Sequence, residues 1–315
     1  MRPFLLKILS ISFALIGLTY GVDFFIEKGI KTSSYREISK WNEVIEGGID
    51  ADILIVGSSR ALVHFDPRII EEKTGMTCYN LGLDGSKYSS QEKVLDLYLA
   101  HNKKPKILIW SLDLGSFQPI EGIYRYEQFL PFWNEPEVKS ILKLNKEQDQ
   151  GYFNYPIIKY SNNPSLKYRG LLKQVGFNVS EPKLYQGYRE SNKTWDGKFD
   201  EFVLKNVESF QEDFDERIFS NFKSELEQLH QSGTSIHLVI APMYYKAKEL
   251  IANSDYVINR FKALSREENY SFLDYSADSM SYYKNNFYNG NHLNKTGTEV
   301  FSNNFSEEIN FQHLD

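Results

Sequence analysis

The sequence predicts an α/β protein built on a parallel sheet. Three observations carry that expectation. Short apolar runs alternate with longer segments of helical periodicity. The runs are apolar throughout rather than alternating, as in strands covered on both faces. Each run is also closed by glycine, proline or a polar turn.

The first strand, Asp52 to Val56, leads directly into Gly57-Ser58-Ser59-Arg60. Glycine allows a tight turn that a side chain would obstruct. A serine placed there stands at the carboxyl end of a central strand, where open α/β sheets bind ligands. Arg60 to Gly75 reads as a turn plus helix closed by Gly75. The second strand is about Thr77 to Leu81, followed by Gly82-Leu83-Asp84-Gly85-Ser86. Gln91 to Ala100 is helical, and Lys103-Lys104-Pro105 separates it from a third strand, Lys106 to Asp113. From about 116 to 215 no comparable strand occurs. That insertion is rich in Tyr, Asn, Pro and Gly, as in Tyr152-Phe153-Asn154-Tyr155-Pro156 and Tyr185-Gln186-Gly187-Tyr188-Arg189. A stretch this long reads either as a lid or binding insertion or as an elaboration over one sheet edge. The alternation resumes with a helix over Phe214 to Gln231 and a fourth strand over Ser235 to Pro242. A helix over Asp255 to Asn269 and a short fifth strand over Tyr270 to Asp274 follow. The polar loop Phe287 to Asn294 then precedes a last helix from about Lys295.

The segment ahead of this domain is of another kind. After Arg2 and Lys7, no charge occurs from Ile8 to Val22. With Phe4 to Leu6 before it and Phe24 to Ile26 after it, the segment reaches the roughly 20 residues that span a bilayer. Positive residues before an apolar stretch fit an uncleaved anchor or a signal peptide. No clear small-x-small cleavage site precedes Asp23, which favours the anchor. A soluble helix packed on the core is the third alternative. The expected organisation is an anchor or signal segment over 1–27, a juxtamembrane helix and linker over 28–50, and a domain over 51–315. The positive end is expected in the cytoplasm and the rest outside it, on the periplasmic side of the inner membrane in a Gram-negative cell.

The net charge of −6 gives no electrostatic footprint for nucleic acid. Cys78 is the one cysteine, so no intrachain disulfide forms, and its strand-like setting suits a buried inert thiol. No His/Cys/Asp/Glu cluster has metal-ligand spacing and no glycine-rich nucleotide motif occurs, so neither metal nor cofactor is expected. Asn-x-Ser/Thr sequons at Asn178, Asn192 and Asn294 are read as chance matches. The abundant Phe and Tyr suit a core, or a surface facing carbohydrate or a partner.

A serine hydroxyl is a weak nucleophile until a base takes its proton. Of six histidines, His64, His230 and His237 fall in predicted helices or a strand, His101 precedes a lysine-rich loop, and His313 is near the terminus. His292 stands apart, in the loop after the last strand, which opens on the same sheet edge as Ser59. Sequence order therefore permits a Ser59–His292 pair. Charge developing on an attacked carbonyl needs donors, for which the Ser59 N–H and Gly82 are candidates. Without that pairing, Gly57-Ser58-Ser59 is only a tight turn.

These residues resemble the SGNH (GDSL-like) hydrolase superfamily, in its extracytoplasmic branch with the alginate O-acetylation proteins and the teichoic-acid D-alanyl transfer protein. Gly57-Ser58-Ser59 is similar to the nucleophile block, Asn80-Leu81-Gly82 with Gly85 to the second block, and Asn289-Gly290-Asn291-His292 to the terminal Asp-x-x-His block. The likeness spans roughly Asp52 to Gly115 and Ser235 to Phe305, without the insertion. It implies a three-layer α/β/α flavodoxin-like fold, a Ser59 nucleophile, a His292 base and an oxyanion role for Gly82. It also implies removal or transfer of an acetyl-type group on an envelope or exported polysaccharide, often with a membrane-bound O-acyltransferase partner. The aromatic insertion would then grip the sugar.

Two departures stand out. Asn289 replaces the family's acid, and an amide can orient the imidazole but cannot stabilise the imidazolium by charge. In serine proteases the comparable change costs about 10⁴ in turnover. Ser111-Leu112-Asp113-Leu114-Gly115 stands where the family has Gly-x-Asn-Asp. The second oxyanion donor then falls to Arg60 or to N–H groups near Gly115. Asp113 is either a substrate ligand or a helix-capping or turn residue. The rival expectation is a weak or inactive relative that serves as a glycan-binding or membrane-complex scaffold.

Overall fold

The computed structural model describes residues 2–33, 35–145, 151, 155–156, 158–177, 184–205 and 208–312. His313, the sequon at Asn178 and Tyr152 to Asn154 of the aromatic stretch lie outside them. The helices are α1 (Arg2–Lys31), α2 (Arg36–Glu46), α3 (Ser59–His64), α4 (Pro67–Thr74), α5 (Tyr88–His101), α6 (Pro136–Leu142), α7 (Pro164–Gln174), α8 (Lys198–Lys205), α9 (Glu216–Gln231), α10 (Tyr245–Glu249), α11 (Ser254–Glu268) and α12 (Lys295–Gln312). The strands are β1 (Ile53–Gly57), β2 (Cys78–Asn80), β3 (Ile107–Ser111), β4 (Ser235–Ile240) and β5 (Ser271–Asp274). They fall into two compact units, Met1–Glu46 with Glu121–Lys183, and Gly47–Ile120 with Leu184–Asp315.

The second unit is the α/β domain. Its five strands are all parallel, in the order β2-β1-β3-β4-β5. This is the flavodoxin-like doubly wound order. Successive strand residues point to opposite faces, and both faces are dry. Ile53, Ile55, Ile107, Ile109 and Val239 join one core with Phe65 of the α3–α4 turn and with Phe301, Phe305 and Ile309 of α12. On the other face Trp110 packs edge-on against Phe222 of α9 at 4.9 Å and donates its indole N–H to Gln91 of α5 at 2.9 Å. Coverage on both faces explains why the strands carry unbroken apolar runs.

Between Arg60 and Gly75 the expected turn is the short helix α3, and the expected helix is α4. Asp66 caps α4 by accepting the Arg68 N–H, and Pro67 opens it, so the chain is re-aimed there. Gly75 closes α4 in a left-handed conformation, its N–H donating to Glu71 O. The insertion holds three helices, α6 to α8, and its residues are shared between the two units. Tyr185 to Tyr188 forms a tight turn with positive φ at Gln186 and Gly187. It lies against β2, where Asn80 donates its N–H to Gln186 O. A Cβ on Gly187 would sit 2.0 Å from Asn80 O, so only glycine allows that approach. This part of the insertion covers the sheet edge.

In the first unit α1 is long and apolar enough to cross a membrane, and its apolar window is unburied. Its last turns dock within the unit. Asp23 and Glu27 hold the buried Lys159 ammonium at 2.9 and 2.6 Å. Gly29 lets α1 touch the backbone of α7 at Gly170, since a Cβ there would lie 1.9 Å from Gly170 O. In the same unit Trp41 of α2 donates to Gln128 at 2.9 Å.

Gly57 is the glycine on which the serine turn depends. Its φ is 153°, and a Cβ would meet Ser111 O at 2.7 Å and the Ala61 methyl at 2.8 Å. Gly57→Ala is therefore expected to destabilise the α/β unit by about 1–3 kcal/mol. Denaturant unfolding followed by tryptophan fluorescence would read this as a lower midpoint.

Candidate active site

Ser59 is the first residue of α3, directly beyond the carboxyl end of β1. Ser58 caps that helix by accepting the Arg60 N–H at 3.2 Å, so the two adjacent serines have different work. The Ser59 hydroxyl lies 2.8 Å from His292 Nε2. Nδ1 of the same ring is 2.9 Å from Asn289 Oδ1. That oxygen also accepts the backbone N–H groups of Asn291 and His292, each at 3.0 Å. Two fixed N–H donors identify the oxygen end of the amide. The amide oxygen in turn requires a proton on Nδ1. Nε2 then presents its lone pair to Ser59, the tautomer a general base needs.

Helix α12 and the His292 loop are tied to α3. Leu293 donates its N–H to Nε2 of the buried His64 at 3.0 Å. Thr298 Oγ1 donates to Val63 O at 2.8 Å, and Ser302 Oγ to His64 O at 3.1 Å. Burial holds His64 well below its ordinary pKa, so it stays a neutral acceptor. The Tyr288 ring lies parallel to the His292 ring, 5.3 Å between centroids, and its N–H donates to His292 O at 3.0 Å.

Arg60 crosses the carboxyl edge of the sheet. It pairs with Asp113 at 3.0 Å and donates to Ala241 O, just past β4. Its Nε is buried and has no partner among the described residues. Asp113 is thus the counter-ion of Arg60, and its own N–H donates to Ser116 Oγ at 2.8 Å. Gly82 corrects the expected oxyanion hole. Its N–H donates to Asn80 Oδ1 at 3.0 Å, and it does not line the cavity beside Ser59. A Cβ on Gly82 would lie 2.4 Å from Leu62 N, so close backbone packing accounts for this glycine.

That cavity has a volume of about 380 Å³. Ser59, Arg60, Asp113 and His292 line it. Much of the remainder is apolar, including Phe199 and Phe202 of α8, Met243, and Ala247 of α10. Lys87, Gly115 and Glu212 add a polar portion. Among the described residues, the cavity gathers no three His, Cys, Asp or Glu ligand atoms.

No profile of a known protein family matches the sequence, and no curated protein matches it. Among solved structures, the chain superposes on a putative acylhydrolase from Bacteroides fragilis with a TM-score of 0.41. The two share 12% identity, over 88% of this chain and 95% of that one.

Sequence reasoning did not find Tyr288, His64 or the pair of Arg189 with Asp84 at 2.8 Å. A tyrosine four residues before a histidine, or a histidine five after a serine, is not a motif. Their contacts exist only once the loops are folded.

His292 is held down to about 4, first by burial and then by the Arg60 guanidinium, against upward pulls from Asp84 and Asp113. The imidazole is therefore a neutral base across ordinary pH. NMR titration should show it protonating near pH 4 rather than near its ordinary value. Asn289→Asp places a carboxylate on Nδ1, which favours the imidazolium, so the titration should move upward.

Proposed function

We propose that the protein is a serine esterase or O-acyltransferase of the SGNH type. The observation that carries this reading is the chain of contacts Asn289–His292–Ser59, with the base tautomer fixed. Nε2 takes the Ser59 proton as Oγ attacks the ester carbonyl. The Ser59 N–H, which has no partner within its own helix, and the neighbouring Arg60 guanidinium are the donors proposed for the oxyanion. The imidazolium then passes its proton to the departing alcohol, leaving an acyl group on Ser59. Water or a second hydroxyl reverses these steps and frees the enzyme. Asn289 lends the imidazolium no charge. Asp84 and Asp113 both favour it and partly replace the missing acid.

A carbohydrate hydroxyl of an envelope or exported polysaccharide is the proposed alcohol, and a membrane-bound O-acyltransferase the proposed partner. α1 is proposed as an uncleaved anchor that holds the catalytic unit outside the cytoplasm. Residues 1–27 are its core, and the SGNH-like domain follows the helical linker region.

The test is hydrolysis of p-nitrophenyl acetate by the full-length chain. Ser59→Ala should lower turnover by at least about 10³. Asn289→Asp should raise it by about tenfold or more, toward a full triad. A folded protein with no turnover in either form would favour the scaffold role instead. The apolar walls supply a further expectation. An acetyl group leaves most of a 380 Å³ cavity empty. p-Nitrophenyl butyrate should therefore be turned over with a higher kcat/KM than the acetate, because each buried CH₂ contributes about 0.8 kcal/mol.

A further inference from the structure

Helix α7 has an apolar stripe on its outside. Tyr168, Leu171, Leu172 and Val175 follow the spacing i, i+3, i+4, i+7, one face of a helix. In a soluble domain such a stripe faces the core. Here all four are exposed, Val175 at 70%, and Phe177 just beyond the helix at 66%. The buried positions of α7 are Leu166 and Gly170, on its other side, where Gly170 meets α1. Lys167 and Arg169 lie between the two faces and are half-buried, the Arg169 guanidinium over the Tyr35 ring, while Lys173 falls on the Leu166 side. Phe24 and Phe25 of α1 are exposed just before the α1–α7 crossing at Ile26 and Gly29. The exposed apolar surface of α1 thus reaches to within a turn of the point where α7 crosses it, in one compact unit.

We infer that α7 lies in the membrane–water interface, with its stripe turned into lipid. An amphipathic helix with basic residues at the borders of an apolar face binds this way, about 5–10 Å into the headgroup and acyl boundary. Lys167 and Arg169, at the borders, meet anionic headgroups, while Tyr168 suits the aromatic interface belt. Two observations select a bilayer over a protein partner. The stripe is on a helix that crosses the end of an apolar span that itself requires lipid, and cations border it. The Lys159 ion cluster, buried against α1 at Asp23 and Glu27, fixes α7's own unit to the end of that span. The inference rests on the proposed anchoring by α1. It does not depend on the chemistry at Ser59.

The test uses the full-length chain reconstituted alone into vesicles of phosphatidylcholine and phosphatidylglycerol. An environment-sensitive NBD label is placed in turn at Leu172→Cys, Val175→Cys, Gln174→Cys and Leu15→Cys. Cys78 is buried and takes no label. Labels at 172 and 175 should emit to the blue, resist aqueous iodide and be quenched by nitroxide lipids, as at 15. The label at 174, off the stripe, should remain open to iodide. Water-like emission at 172 and 175 with a lipid signature at 15 overturns the inference and leaves the anchor standing. Shielding from iodide without lipid quenching overturns it in favour of contact with a second copy. Water-like emission at all four sites overturns both the inference and the anchor.

Discussion

The site depends on one constraint, the fastening of the His292 loop to the short helix that begins with Ser59. A 2.8 Å contact joins two residues separated by 233 positions. It persists because Leu293 bonds to His64, while Thr298 and Ser302 bond to the carbonyls of Val63 and His64. Hydroxyls of α12 thereby satisfy the carbonyls at the end of α3, which a helix leaves without partners. The fold itself thus sets the imidazole against the hydroxyl. A neutral His64, buried at the junction, gives this fastening its direction, since only an acceptor can meet the Leu293 N–H.

Around that fastening the parallel sheet supplies position. Every strand points its carboxyl end to the same edge. The elements after β1, β3 and β4 therefore deliver Ser59, Asp113 and Ala241 to one place. Arg60 bridges all three, a charged side chain that is 5% exposed yet held by one carboxylate and one carbonyl. A buried cation needs such partners. Its presence also depresses the imidazole beside it, which keeps His292 a base. Asp84 and Asp113, each paired to an arginine, act on His292 at longer range in the opposite sense.

Much of this was legible in the sequence. Unbroken apolar runs marked the strands because both faces of the sheet are covered. Gly57-Ser58-Ser59 and Asn289 to His292 marked the two loops because their chemistry is local: a glycine for the turn, and an amide three residues before an imidazole. The misreadings have the opposite cause. Gly82 resembled an oxyanion donor, but its N–H is drawn to Asn80 and its missing side chain makes room for Leu62. The expected turn after Ser59 is instead the short helix α3, whose six residues are too few to show a helical period. Tyr288 carries no signal, since ring stacking follows from a loop path that no residue spacing specifies. The outward stripe of α7 has the pattern of an ordinary core helix, and only the fold shows which way it faces.

The most direct measurement is to treat the full-length protein with an alkyl fluorophosphonate and map the adduct by peptide mass spectrometry. A phosphonyl group on Ser59, lost when His292 is replaced by alanine, is the result this account predicts. A folded protein that takes no adduct, or takes it on another residue, would contradict it.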